Sequence, residues 1–383
     1  MNSTHRVDVV KVGEFTPHPN ADTLDLTMVG GYQVVVKRGT YKTGELVLYI
    51  QPDTIVPAIP QFSFLWEGRT LNADGSVPQR LRRVLVKSIR KQWSEGLIMP
   101  LSEFKEQLQH IDYNVGTDVA ELLGFTHYEE EEPVENIHGQ KRSQYQFPPK
   151  TLKGWWYWFL RLLGISRGYG GGTPVAGPKL KHMVPVYDVD GLKNFPHAFS
   201  TEDVVVVTEK INGSNARYVF DGEKMHAGSK NLWKAENSTC IWRRALKELP
   251  WIEEWCRANV GHTLYAEVVP TQKGYTYGTG ADTVPIKVFV FDVLLPSGKW
   301  MDKSALVYDT KGLVLAPVLY MGNFDEAVIK ALADGQSKVP GANHIREGVV
   351  VGLYFERPAP RGLHRLQLKV KGMKFLENEG KKA

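Results

Sequence analysis

Cysteine is nearly absent. Two residues in 383, Cys240 and Cys256, supply neither a disulfide framework nor a thiolate metal spacing. That scarcity points to a reducing cytoplasm, and to oxygen ligands for any metal. Apolar residues are sparse at the start as well: MNSTHRVDVV has no apolar core of the kind a secretory signal needs. The longest greasy run, WWYWFLRLL at 155–163, is broken by Arg161 and falls far short of the ~20 residues that span a bilayer. It is expected to pack on the protein or cover a domain junction, with an interfacial helix as the alternative. Neither GxGxxG nor GxxxxGK[ST] occurs, so dinucleotide and P-loop chemistry have no support. Charge of one sign is also scarce. Lys and Arg number 47 against 42 Asp and Glu, a net +5, which permits a polyanionic partner without requiring one.

What is present is the composition of a soluble protein, 42% hydrophobic and long enough for two or three domains with cores of their own. Residues 1–125 read as short β-branched strands (VDVVKVGEF, YQVVVKRG, ELVLYIQP) punctuated by HPNAD, GG and KTGE. Several strands without a long helix predict a small barrel. HPNAD and the later SEGLIMPL resemble the OB-fold module of tRNA-binding domains in some synthetases. Six basic residues, Arg80, Arg82, Arg83, Lys87, Arg90 and Lys91, fall within twelve positions. They form either a phosphate-binding stretch or a solvated strand edge that discourages aggregation. Residues 126–180 lose all pattern. Four glutamates at 129–132, the aromatic run and GYGGGTPVAGP read as a linker with one short helix. From 181 to 383, strands and helical stretches near 238–258 and 324–333 mix into an α+β domain dominated by antiparallel strands.

One stretch of that last domain invites chemistry. Four valines, Val204 to Val207, run into TEKINGSN, which places Lys210 at the end of a buried strand before a turn glycine. Alone, such a lysine is an ordinary solvated strand end. At an ordinary pKa near 10.4 only about 0.04% of its amine is free at pH 7, so a nucleophilic role needs desolvation or cationic neighbours. Attack on a nucleotide phosphate further demands an acidic residue for Mg²⁺, cations for the phosphate, an aromatic ring for the base and a carboxylate for hydroxyls. All four occur on predicted strands: Glu267 in LYAEVV, Phe291 in VFVFDVLL, Glu347 in REGVVVG, Lys369 and Lys371 in LQLKVKG. The last two are two apart and share a strand face. Each has a bland reading as core or solvated side chain. The ordered set is harder to dismiss.

The series TEKINGSN, GSKN, YAEVV, VFVFDV, REGVVV and LKVK resembles motifs I, Ia, III, IIIa, IV and V of the covalent nucleotidyltransferases, the ligases and capping enzymes. With the barrel, the resemblance covers nearly the whole chain and is greatest to RNA ligases of the Deinococcus type, which carry an N-terminal OB domain. It implies an ATP-grasp-like ligase fold for 181–383. Asn215 and Asn212 stand where DNA ligases usually carry arginine and aspartate. Ala383 follows Lys371 too closely for the C-terminal OB domain of DNA ligases and capping enzymes. Both are expected to favour RNA.

The roles the resemblance implies are these. Lys210 would attack the α-phosphate of ATP, releasing pyrophosphate and keeping AMP. Glu209 would recognise adenine, and Phe291 would stack on it. Glu267 would hold the ribose or a metal-bound water, Glu347 the Mg²⁺ or Mn²⁺. Lys369 and Lys371 would neutralise the α-phosphate, Asn215 would assist at the phosphate or metal, and Lys230 fills a position usually held by arginine. AMP would pass to a 5′-phosphate end, and a 3′-OH would displace it. The partner is then RNA or an RNA-containing nicked duplex, met by a monomer with no membrane attachment. Two alternatives stay open: a DNA ligase or capping-type guanylyltransferase, and an RNA-binding protein with a dead catalytic domain. Deleting 1–125 is expected to spare Lys210 adenylylation and impair sealing. Removing charge at Arg82, Arg83 and Arg90 is expected to flatten the salt dependence of RNA binding.

Overall fold

The computed structural model describes residues 6–128, 175–280, 283–359, 363 and 365–382. The acidic run at 129–132 and the aromatic segment at 155–163 lie outside them.

The N-terminal strands pair as their alternation predicts. Val7–Lys11, Leu46–Ile50 and Leu97–Pro100 form one antiparallel sheet, and Phe15–Pro17, Leu24–Val29 and Tyr32–Lys37 a second. Val7, Val9, Leu48, Ile50, Phe62 and Phe104 are buried together in one core, where the first sheet contributes the inward half of each period-2 pattern. Val86–Ile89 and Gln92–Glu95 make a hairpin whose two-residue turn puts Arg90 and Lys91 at φ 45° and 70°. Neither is glycine, so that conformation needs outside support. HPNAD provides it: Asn20 Nδ2 donates to Arg90 O at 2.9 Å. His18 accepts from Asn20 N through Nδ1, which leaves Nε2–H to donate to Ile89 O at 3.0 Å. The barrel extends past 125, because Thr126–His127 pairs with Thr54–Ile55.

The second domain has two antiparallel-dominated sheets. Val204–Lys210 lies between Val318–Asn323 and Gly348–Leu353, and Gln367–Lys371 follows, with Asp190–Gly191 at the edge in parallel. The other sheet orders Met225–Gly228, Ser214–Phe220, Thr263–Val269 and Lys287–Leu294. Its back is covered by helices Ile241–Glu248 and Pro250–Ala258, split where Pro250 cannot continue the first helix. Trp242, Ala245, Ile252 and Cys256 enter that core. Both cysteines are buried free thiols.

The domains touch along a polar seam. Lys193 pairs with Glu95, Tyr32 OH donates to Asn194 at 2.5 Å, and Lys371 reaches Asp53 at 3.5 Å. The helix Met373–Lys382 packs against Val86–Ile89 of the barrel. No described helix is long and apolar enough to cross a membrane.

Candidate active site

A cavity of about 210 Å³ opens between the two sheets, lined in part by Lys210, Asn215, Glu267, Phe291, Val350 and Lys369. Backbone register explains how segments so far apart in sequence meet there. Lys210 pairs with Gly348, the residue after Glu347, and Val350 pairs with Lys369, so three of the motifs lie on neighbouring strands. Across the cavity Asn215 and Glu267 are direct partners.

Glycines set the close approaches. A Cβ on Gly213 would lie 2.5 Å from Val268 O and 2.9 Å from Glu267 Cγ, and one on Gly348 would run into Val370 O. No alanine fits at either. The bare Gly213 brings its N–H to Glu267 Oε1 at 3.1 Å. Phe291 owes its position to a bulge. Tyr265 pairs with Asp292 and Ala266 with Val290, so Phe291 is the extra residue, free of the pleat's alternation.

Lys210 Nζ lies 2.8 Å from Glu347, whose side chain is 7% exposed. Burial pushes the Glu267 carboxyl up to about 8; the Lys210 ammonium pulls it back, and Glu347 adds to the rise. Glu267 is thus held toward its neutral form beside the Glu347–Lys210 pair, short of the positive charge that would ionise it. A divalent cation suits that deficit. Among the described residues no three His, Cys, Asp or Glu stand together as a ligand cluster, so a metal here would keep waters and substrate oxygens as its other ligands. Lys369 is pushed down to about 8, first by burial and then by the Lys371 and Lys210 ammoniums, against the pull of Asp188 and Glu347.

The remaining expected residues disperse. Glu209 lines the cavity, and its carboxylate accepts from Ser337 Oγ at 2.5 Å and Lys338 N at 2.7 Å, which ties that loop to the strand end. Lys230 meets Asp188 at 3.3 Å and is not among the cavity-lining residues. Lys371 shares a strand face with Lys369, yet it reaches the barrel instead of the cavity. The basic stretch divides as well. Arg83 binds Asp53 through Nε at 2.9 Å and Nη2 at 2.6 Å, and lies over the Tyr128 ring. Arg82 donates to Val56 O at 3.0 Å. Both side chains already hold partners within the barrel. Arg80, Lys87, Arg90 and Lys91 are exposed.

Sequence reasoning missed Tyr187, Asp188, Thr208 and Gln367, all of which line the cavity. Gln367 was within reach, two residues before Lys369 on its strand face. Tyr187 and Asp188 lie in a stretch without periodicity, and nothing announced them.

A lysine and two carboxylates between two antiparallel sheets, behind a small β-barrel, define a covalent-nucleotidyltransferase architecture. Residues 203–354 match the RNA ligase family model, and residues 6–101 match an OB-fold domain model. The chain thus joins an N-terminal domain matching the OB-fold model to a domain matching the RNA ligase model. No curated protein matches it by sequence. Its fold is that of Naegleria gruberi RNA ligase. The structure of that enzyme with PPi is 20% identical, covering 99% of this chain and 100% of that one with a TM-score of 0.69. A mutant of it with ATP and Mn is 19% identical over 97% and 98%, with a TM-score of 0.70, and another with AMP and Mn is 18% identical over 98% of each, with a TM-score of 0.69.

Proposed function

We propose that this chain is an ATP-dependent ligase that seals RNA 3′-OH and 5′-phosphate ends through AMP carried on Lys210. The observation that carries the reading is the approach of Lys210 to Glu347 at 2.8 Å, with Lys210, Lys369, Phe291 and Glu267 lining one cavity. The Naegleria enzyme's structures with ATP, AMP, PPi and Mn support ATP and a divalent metal as the ligands.

In this reading the deprotonated Lys210 Nζ attacks the α-phosphorus of ATP. A P–N bond forms as the P–O bond to pyrophosphate breaks. Glu347 holds Nζ as an ion pair, so the pair must open before attack. Glu347 and Glu267 would hold the divalent cation, which neutralises phosphate charge in the in-line transfer. Lys369 supplies a cation to the same phosphate. Asn215, whose Oδ1 is buried without a partner among the described residues, is left to meet the substrate or a water on it. Phe291 and Val350 cover the base. AMP then moves to the 5′-phosphate of an RNA end, and the neighbouring 3′-OH displaces it to form the phosphodiester.

The barrel's cations, Arg80, Lys87, Arg90 and Lys91, grip the nucleic acid, and a nick in an RNA-containing duplex is the substrate we favour. The two buried thiols suit a reducing compartment, and action as a cytoplasmic monomer belongs to the same proposal. Sealing of nicked duplexes carrying RNA or DNA separately on each side of the nick tests it. Sealing with RNA at the 3′-OH side, lost in Lys210→Ala, is expected. Equal sealing of all-DNA nicks would overturn the RNA assignment.

A further inference from the structure

Behind Phe291 runs a polar chain with a fixed direction. Asp292 is fully buried and contacts Arg365 and Lys303, the latter at 3.2 Å. Burial opposes its charge, but the Arg365 guanidinium and the Lys303 ammonium outweigh burial and hold the carboxyl below its usual range. An ionised carboxylate only accepts, so the Tyr187 hydroxyl, 2.6 Å away, must give its single proton to Asp292. Toward its other neighbour that oxygen can then only accept. The neighbour is Gln367, whose Nε2 donates to it.

The amide is thereby oriented by its partners: nitrogen to Tyr187, Oε1 left over. Gln367 is 6% exposed and lines the cavity, and its Oε1 meets no donor among the described residues. A buried acceptor without a donor is costly. Gln367 also lies at the base end of the site. Tyr187 packs on Phe291 with ring centroids 4.9 Å apart. Lys369, the phosphate-side cation, is two residues further along the same strand face, a step of roughly 7 Å.

We propose that Gln367 reads the 6-amino group of adenine through this orphaned Oε1, and so selects ATP over nucleotides with a 6-oxo group. The inference rests on the ATP-ligase reading above and names the group within it that chooses the base. A guanine or hypoxanthine O6 would bring a second acceptor against the first, with no proton between them. The Asp292–Tyr187 chain prevents the amide from turning over to offer its N–H instead.

The test uses the full-length protein and measures transfer of label from α-labelled ATP, inosine triphosphate and purine-riboside triphosphate to Lys210 as kcat/KM. Wild-type protein is expected to prefer ATP over purine-riboside triphosphate, which lacks any 6-substituent, by roughly 10- to 100-fold. Gln367→Met should compress that ratio toward one, chiefly by slowing ATP. Tyr187→Phe frees the amide to flip and should raise inosine triphosphate relative to ATP, which reads the idea independently if the Met variant does not fold. Unchanged ratios in Tyr187→Phe and in folded Gln367→Met, whatever the loss of absolute rate, would overturn the inference and leave Gln367 as packing. Absence of label from every nucleotide on wild-type protein would instead overturn the ligase reading itself.

Discussion

Glu267 shows how one side chain can report on the site around it. Its folded pKa of about 8 lies above the ordinary 4.5, from burial and from Glu347, with Lys210 opposing. A raised carboxyl pKa stabilises the fold fully below about 4.5, and that contribution is lost as pH rises through about 8. Glu267→Gln removes the dependence. Thermal melts without ligand are therefore expected to show the variant gaining on wild type between pH 4.5 and 8, and holding its advantage above. Parallel curves would mean Glu267 is already ionised. Lys369 is lowered to about 8. A lowered lysine pKa costs stability below about 8, and that cost fades as pH rises from there toward the ordinary 10.5, so its effect runs above the window in which Glu267 titrates. The chemistry of this residue set was legible in the sequence because each member stands in a short motif in a fixed order. Its electrostatics were not, because they depend on which strands become neighbours. Gln367 shows the limit: its role rests on a hydrogen-bond chain through Tyr187, 180 residues away.

At the scale of the element, the strand ends and turns matter more than the strands. Gly213 and Gly348 let the chain approach Glu267 and Gln367–Lys371 more closely than any Cβ allows. Gly213→Ala must displace Val268 or the Glu267 side chain, and overpacking of this kind costs about 1–3 kcal/mol. Its melting temperature should fall by several degrees and its rate of Lys210 labelling by more than the stability loss explains. Full labelling at wild-type rate would show that the hydrogen bond from Gly213 to Glu267 is incidental. Several strands were legible from alternation, the barrel's Val7–Lys11, Tyr32–Lys37 and Leu46–Ile50 among them, while Leu24–Val29 and Val318–Asn323 went unread. The bulge at Phe291 was not, since VFVFDVLL reads as a regular strand, and the split between Glu248 and Pro250 divided one predicted helix into two. The helix Met373–Lys382, which the sequence reading did not expect, buries Phe375 and packs on Val86–Ile89 of the barrel.

Across the whole molecule the barrel and the ligase domain share residues that sequence reasoning kept apart. Asp53 has its carboxyl at about 2; burial works against this, and Lys371 and Arg83 outweigh it. Asp53→Ala leaves two cations facing each other at the seam, and a lowered melting temperature is expected with Lys210 labelling retained. Loss of labelling would make the barrel part of the nucleotide site. The basic stretch divides by the same geometry. Substituting Arg80, Lys87 and Lys91 by Gln should reduce the salt slope of duplex binding by roughly 0.9 for each phosphate that these side chains neutralise. Arg83→Gln should lower stability and leave the slope alone. A slope changed only by Arg83 would reverse that division. Composition could place cations in the barrel but could not say which were already taken.

The central claim is that Lys210 carries the nucleotide. Incubation with labelled ATP and Mn²⁺, followed by proteolysis and mass spectrometry, measures it directly. The account predicts a single AMP on Lys210, absent from Lys210→Ala; AMP on another residue, or none on any, would contradict it.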